Sequence, residues 1–577
     1  MKNVTITING KETTVPENYT VMQAAEELGI IVPRLCFLKD INETSACRMC
    51  VVNVKDMRGL KNSCTLAVQD GMEIETDTED IEDSIVQNLQ LLASNHVFEC
   101  WACEREQSCE LLDLMRRYRV DNVYGESNDF FKKERLINDS SNAIVLDSGK
   151  CILCGRCVSA CHKQTGLDIL DFNERGNETY VGPAQFHKME DSGCIYCGAC
   201  VDACPVAAIK EKSEIDEVLA ALKDDNKKVV VTVDPLVTTA LGEEFDAKIG
   251  TNVASKMITS LIKVGFDDLK DINFTTKLTT IEKAKELLNR FENGGKLPLF
   301  SSTAPGWINY VEQYEADFLP NLSSAKSPQQ MAGAVAKHYY AEKLGYEKEN
   351  VTFVSIVPAI AKKDEAKRDG MQFGGIIDVD HVLTTREYAR LLKRSGINLL
   401  KLEETERFGT LNDFTGEKAA LEYTQASASE ILYAASEILG EEKQSLVFEQ
   451  TKGVKGLLET TYTLNGKKLN VLKAVGITSI KKFFKQLDRT KKQYHLVEYI
   501  PMLFGGGQPI QPAVVQDQID LYSVRFKGLF GDNEPVIPET FMDKAVQNLY
   551  SEFLEAPGSD KAVHLLHTKY QKQEFYK

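Results

Sequence analysis

The first residues, Asn3-Val4-Thr5-Ile6-Thr7-Ile8, alternate polar and apolar side chains with the period of a half-buried strand. Strand-like alternation continues through the first ~80 residues, interrupted by one helical stretch near Thr20–Leu28. A helix-rich segment is expected from about Glu79 to Tyr118. From Glu214 onward the pattern becomes that of an α/β protein. Apolar runs such as Lys228–Val233 and Val351–Val357 alternate with helical periodicity at Thr280–Glu292 and Ala419–Leu439. Gly505, Gly506, Gly507 and Pro509 mark an irregular loop, and the last ~60 residues read as helices parted by Pro535, Pro538 and Pro557-Gly558.

At 577 residues the chain exceeds what one core supports. Its net charge of −17 argues against a general nucleic-acid binder, which needs basic patches, and suits docking to a cationic face on a redox partner. No run approaches the ~18–20 apolar residues of a membrane span. The alternating start is unlike the continuous apolar stretch of a signal peptide, so a cytoplasmic location is expected.

Cysteine position changes the picture most. All 15 lie between Cys36 and Cys204. In a reducing compartment such clustering points to metal binding rather than disulfides. Two runs, Cys151-Ile-Leu-Cys154-Gly-Arg-Cys157-Val-Ser-Ala-Cys161 and Cys194-Ile-Tyr-Cys197-Gly-Ala-Cys200-Val-Asp-Ala-Cys204-Pro205, repeat the C-x2-C-x2-C-x3-C spacing of two-cluster ferredoxins. The fourth cysteine of each run crosses to the other cluster in that arrangement. One [4Fe–4S] is therefore assigned to Cys151, Cys154, Cys157 and Cys204, and another to Cys194, Cys197, Cys200 and Cys161. His162 stands where a proline usually follows the first run.

Cys36, Cys47, Cys50 and Cys64 suit a [2Fe–2S] cluster on a plant-ferredoxin-like fold, with a longer first gap than the plant spacing; zinc is the alternative. His96, Cys100, Cys103 and Cys109 suit either zinc or a [4Fe–4S]. Their place between other clusters favours an electron relay, because a redox-inert ion would interrupt the chain. His96 is the weakest ligand of the set. The four sets account for every cysteine.

The order of these sets, followed by Phe300-Ser-Ser-Thr-Ala-Pro305-Gly306-Trp307, Asn321–Gln330, Pro358-Ala-Ile-Ala-Lys362-Lys363, Thr384-Thr385-Arg386-Glu387 and Gly505-Gly-Gly-Gln-Pro509, resembles the clostridial-type [FeFe]-hydrogenase family along essentially the whole chain. The tail Leu549-Tyr550…Pro557-Gly558…Leu565-Leu566-His567-Thr568 is similar to that family's small-subunit-like segment. The resemblance implies a multidomain α+β and α/β chain. Its expected parts are a [2Fe–2S] ferredoxin-like β-grasp (1–78), a helical segment with one histidine and three cysteines for a [4Fe–4S] (79–140), a ferredoxin domain with two [4Fe–4S] (141–212), a hydrogenase-like large domain (213–515) and small-subunit-like helices (516–577).

The departures bear on function. Family members hold the active-site H-cluster through four cysteines in three motifs. The first normally reads T-S-C-C-P-G-W; here Ser302-Thr303-Ala304-Pro305 puts threonine where the family has its proton-delivering cysteine and alanine at a ligand. The second normally reads M-P-C-x-x-K; here Ala359 stands at the ligand, while Lys362, which the family uses to bind a cyanide of the cluster, is kept. An ion-paired lysine is the alternative reading of Lys362. The third motif carries two cysteines in the family, whereas Glu498-Tyr-Ile500-Pro-Met502-Leu503-Phe504-Gly505 has neither. Alanine offers no donor and Met502 only a neutral thioether, so the usual thiolate attachment is lost. Lys283 sits where the family has a proton-relay carboxylate, although Glu286 and Ser323 remain. A glycine-rich stretch is replaced around Gln425–Glu430. The apolar residues Ile500, Met502, Leu503 and Phe504 favour partial filling of the old cofactor space, and Trp307 is expected to be architectural.

These readings predict one [2Fe–2S] and three [4Fe–4S] clusters, no H-cluster and no hydrogen chemistry. Three roles follow. The chain is an electron conduit serving a ferredoxin, flavoprotein or NAD(P)H-linked reductase subunit; or a reductase of a small molecule or new cofactor in a pocket formed by Ser302, Thr303, Ala304, Ala359, Lys362 and Met502; or a redox sensor. No G-x-G-x-x-G follows a strand, which leaves a built-in nucleotide site without support.

Overall fold

The computed structural model describes residues 2–121, 134–405, 426–451, 454–487, 492–501, 506–531 and 537–576. Alternation at the start gives the strand Asn3–Ile8, which pairs antiparallel with Lys11–Pro16 and parallel with Glu73–Glu75 in a five-stranded sheet. Val4, Ile6 and Ile8 face its core beside the helix Val21–Glu27, started by a capping box from Thr20 to Gln23. Two helices follow, Glu79–Ser94 and Glu110–Tyr118, packed on each other. The cysteine repeats build the helices Arg156–Thr165 and Ala199–Ala203.

The back half holds two sheets. In the first, Asp268–Asp271, Lys228–Val233, Val351–Val357 and His381–Thr384 run parallel, with the central strands buried throughout as near-continuous Val/Ile runs. In the second, Leu299–Ser301, Leu496–Ile500 and Lys467–Val475 are parallel, and Leu457–Leu464 and Glu449–Gln450 add antiparallel. Open parallel sheets place their ligand sites beyond the carboxyl ends of strands. Here those ends deliver Asp234, Ser302 to Ala304, Pro358 to Ala359, and Pro501 to one region.

The helix expected at Thr280–Glu292 is longer, Ile272–Asn293, because Asp271 caps it through the Asn273 amide and its threonines stay inside by bonding carbonyls one turn back. The helix expected from Ala419 starts at Ala428 behind a Ser427–Glu430 capping box; residues 419–425 and Gln425 with them lie outside the described residues. Pro535 also lies outside them. Among the described residues no helix is long and apolar enough to cross a membrane.

Candidate metal centres and the cavity behind them

Both cysteine repeats fold alike. Leu153 and Tyr196 take φ of 53° and 54°, and Gly155 and Gly198 take 79° and 80°, so each loop curls and turns its amides inward. The Leu153 N–H donates to Cys151 Sγ and the Tyr196 N–H to Cys194 Sγ, both at 3.4 Å. Cys151, Cys154, Cys157 and Cys204 line one small cavity, with Cys204 supplied by the second repeat. Burial pushes the Cys154 thiol up to about 12 and also raises Cys157 well above the ordinary thiol range, helped there by the charges of Cys154, Cys151 and Cys204. Cys200 is raised by burial and then by Cys197, Cys194 and Cys161, which puts Cys161 of the first repeat among the thiols of the second. The fold thus brings Cys204 to the cysteines of the first repeat and Cys161 to those of the second.

Cys36, Cys47, Cys50 and Cys64 are all buried. The Cys36 and Cys47 amides donate to each other's sulfur at 3.4 and 3.5 Å, and hydrogen bonding from Cys47 brings the Cys36 thiol down to about 6. Cys50 and Cys64 bond each other similarly, which lowers Cys64. In the histidine set, Cys109 caps the helix Glu110–Tyr118 by accepting from the Leu112 amide, and Cys100 and Cys109 both feel the charge of Cys103. His96 is held neutral by burial, its ring down to about 4, and its buried Nδ1 has no partner. An unpaired lone pair of that kind fits a metal ligand. Buried thiols such as Cys154, Cys157 and Cys200 favour their neutral form unless a cationic centre binds them, so these donor sets fit iron–sulfur clusters. Among the described residues no three His, Cys, Asp or Glu close on a single-ion centre, and Cys151, Cys154, Cys157 and Cys204 stand about a small cavity.

Behind Cys197 lies a cavity of about 380 Å³. Ser302, Thr303, Ala304, Ala359 and Lys362 all line it, so the fold gathers residues separated by some 60 positions. Met502 lies outside the described residues, as do Leu503, Phe504 and Gly505. Ile500 lines the space; the rest of the expected apolar filling falls outside the described residues. Two glycines press the back half onto the cluster loop. A Cβ on Gly306 would lie 2.8 Å from the Ile195 carbonyl, and one on Gly506, whose φ is 69°, 2.8 Å from Gly198 Cα. Ala359 bridges to Gly506 at the same junction.

Trp307 is architectural as expected. It is buried, with Tyr499 stacked at 4.8 Å and Tyr310 and Phe484 at 6.1 Å. Lys362 is ion-paired, its Nζ 2.9 Å from Glu365, which also accepts from Ser327. Lys283 is buried, donates to the Ser302 carbonyl at 3.0 Å and is lowered to about 8 by burial. Glu286 accepts from Ser323 at 2.7 Å and pairs with Arg290. Asp234, Gln329 and Glu498 also line the cavity. Sequence reading missed them because only the convergence of separate strand ends brings them there.

Residues 227–501 match the description "Iron only hydrogenase large subunit, C-terminal domain" and residues 520–573 "Iron hydrogenase small subunit". Ahead of them, residues 1–79 match "2Fe-2S iron-sulfur cluster binding domain", 87–123 "NADH-ubiquinone oxidoreductase-G iron-sulfur binding region" and 150–208 "4Fe-4S dicluster domain". Iron hydrogenase 1 of Clostridium pasteurianum is 35% identical, over 98% of this chain and 100% of its own length. The chain belongs to the iron-only hydrogenase family.

Another family member, the NADP-reducing hydrogenase subunit HndD of Solidesulfovibrio fructosivorans, is 34% identical with both chains covered in full. Among solved structures, an apo [FeFe]-hydrogenase from Chlamydomonas reinhardtii matches with a TM-score of 0.55 and 29% identity, over 63% of this chain and 100% of that one. This family member is therefore a multidomain iron–sulfur electron-transfer protein, with [2Fe–2S] and [4Fe–4S] binding domains ahead of a hydrogenase large-subunit-like domain.

Proposed function

We propose that this chain relays electrons through four clusters to or from a redox partner and does not turn over hydrogen. The observation that carries the reading is the wall of the cavity. Ala304 and Ala359 stand where the family's motifs place cysteines, and all 15 thiols lie in residues 36–204. A cubane needs anionic thiolates, and methyl groups supply none.

In this reading the parts are 1–78, 79–140, 141–212, 213–515 and 516–577. Cys36, Cys47, Cys50 and Cys64 hold a [2Fe–2S]. His96, Cys100, Cys103 and Cys109 hold the first [4Fe–4S]; Cys151, Cys154, Cys157 and Cys204 the second; Cys194, Cys197, Cys200 and Cys161 the third. Bound clusters supply one-electron transfer. The chain's own residues bind them through sulfur, shield them by burial, and support the charged state through N–H donors such as those of Leu153 and Tyr196. The name of the NADP-reducing relative supports a partner in a nicotinamide-linked complex.

Anaerobic purification with metal analysis and EPR of the reduced protein tests the relay. It should show about 14 iron atoms in one [2Fe–2S] and three [4Fe–4S] centres. Stoichiometric zinc bound through His96 and its cysteines would break it.

A second reading, a reductase acting in the remodelled pocket, is favoured by one observation: the cavity is open and borders Cys197. Oxidation of reduced clusters by a small molecule that enters the cavity would support it, and the absence of any such acceptor would leave the relay alone.

A further inference from the structure

We propose that the side-chain amide of Asn42 is the contact through which electrons pass between the cluster at Cys36 and the cluster at Cys154. The proposal rests on the relay reading above and names a positioning residue for one of its steps.

The two donor sets belong to different parts of the chain, yet one side chain joins a ligand-bearing residue of each. Asn42 Nδ2 donates to the Cys36 carbonyl at 2.8 Å and to the Cys154 carbonyl at 3.1 Å. Thr44 Oγ1, at 3.3 Å, is the farthest acceptor of the same nitrogen. Asn42 is 1% exposed, and its Oδ1 accepts from Ser159 Oγ at 2.7 Å. Ser159 stands on the helix Arg156–Thr165, which also carries Cys157 and Cys161. Carbonyl oxygens only accept, so the nitrogen of the amide has to face them and its oxygen the hydroxyl. The backbone behind it is held as well: the Asn42 N–H donates to the Leu38 carbonyl at 2.7 Å, and the Leu38 N–H returns a bond to the Asn42 carbonyl at 3.0 Å.

Electrons tunnel more readily along covalent and hydrogen bonds than across an equal length of mere contact. From Cys36 Sγ the path follows that residue's own side chain and carbonyl. It crosses the Asn42 nitrogen by way of its hydrogen bonds, then runs down the Cys154 carbonyl and side chain to the second sulfur. Arg156 Nε also reaches the Cys36 carbonyl, at the longer distance of 3.4 Å, but its path continues through the whole arginine side chain before meeting Cys157. Lys163 ties the same loop to the same helix, its Nζ 2.7 Å from the Asp40 carbonyl, without bonding Cys36 or Cys154. Asn42 thus offers the shortest bonded route of these ties. The step is a one-electron exchange. A reduced [2Fe–2S] loses the electron, an oxidised [4Fe–4S] gains it, and no proton or leaving group moves. The amide is uncharged and bonds carbonyls rather than sulfurs, so Asn42 acts on rate more than on potential.

The test uses the full chain with its clusters. Pulse radiolysis adds electrons, and absorbance is followed for the phase in which the [2Fe–2S] and [4Fe–4S] bands change in opposite senses. In the native chain this phase is expected, with a rate independent of protein concentration. Asn42→Leu, of similar size but without the donor, should slow it several-fold while the midpoint potentials from EPR titration stay near native. Ser159→Ala, which frees the amide to turn, should slow it less. Lys163→Met, which cuts a tie off the path, should leave it unchanged. Where Asn42→Leu loses a cluster signal, the comparison of Ser159→Ala with Lys163→Met decides. A native rate in Asn42→Leu with both cluster signals intact, equal slowing in Lys163→Met, or no such phase in the native chain would overturn the proposal. EPR of the reduced native chain separates the two levels. Absence of a [2Fe–2S] signal, or zinc held by Cys36, Cys47, Cys50 and Cys64, would sink the relay reading; both clusters present with unaltered kinetics would sink the role of Asn42 alone.

Discussion

Replacing Arg156 by glutamine perturbs the junction of three predicted clusters at once. Its guanidinium is 1% exposed, bonds both Glu110 carboxylate oxygens at 2.7 and 3.0 Å, and points Nε at the Cys36 carbonyl at 3.4 Å. It lies in sequence between Cys154 and Cys157, and its charge acts on Cys154 and Cys36. Breaking a buried pair strands the remaining charge and typically costs about 3–5 kcal/mol. The electrical effect follows from Coulomb's law. A unit charge about 10 Å away at an effective dielectric near 20 is worth about 1.7 kcal/mol, or about 70 mV for one electron. Losing a positive charge makes reduction less favourable, so Arg156→Gln should lower the potentials of the nearby clusters by tens of millivolts. Glu110→Gln should raise them, and the double variant should return close to the native values with part of its stability restored. EPR-monitored potentiometric titration reads the shifts, and thermal melting reads the stability. Unchanged potentials in every cluster, or shifts of the same sign in both single variants, would refute the reasoning.

Lys326 and Asp378 form a pair at 2.7 Å with both side chains fully buried, so Lys326→Met should lose about 3–5 kcal/mol in denaturant unfolding, much of it regained with Asp378→Leu. Burial pushes the Asp234 carboxyl up to about 6, above the usual 3.8; the Leu236 amide and then Lys362 only partly offset this. Below the ordinary value the two states bind protons equally, and stability then falls as pH rises through 6. Asp234→Asn, which keeps the cap on Leu236, should therefore raise the melting temperature at pH 8, by up to about 3 kcal/mol of stability, and leave it unchanged at pH 3.5. Gly506→Ala must bear a positive φ, costing about 1–2 kcal/mol, and push on the Gly198 backbone. It should lower the melting temperature and perturb the EPR signal of the cluster at Cys197 more than that of the [2Fe–2S] at Cys36.

Much of this architecture was legible because thiol spacing and strand patterning are local. The runs at 151 and 194 specify tight loops, and the structure gives both the same left-handed turns at Leu153 and Tyr196. The strands Lys228–Val233 and Val351–Val357 emerge with the bounds their apolar runs suggest. Long-range features were not legible. Nothing near Asp234 or Gln329 says that they border Ala304, since parallel strand ends far apart in the chain converge only on folding. The cavity itself was equally hidden, because no local pattern says how far apart the ends of separate strands come to stand. His96 lies between these cases: spacing suggests a ligand, and its unpaired, buried Nδ1 adds a physical reason.

The central claim is that a hydrogen-forming iron centre has no attachment at Ala304 and Ala359. Its most direct test is hydrogen evolution from reduced methyl viologen by the pure chain, after co-production with the family's maturation enzymes, with an active family member treated identically beside it. The account predicts no hydrogen above background from protein that carries its full complement of relay clusters. Sustained, iron-dependent hydrogen evolution would contradict it.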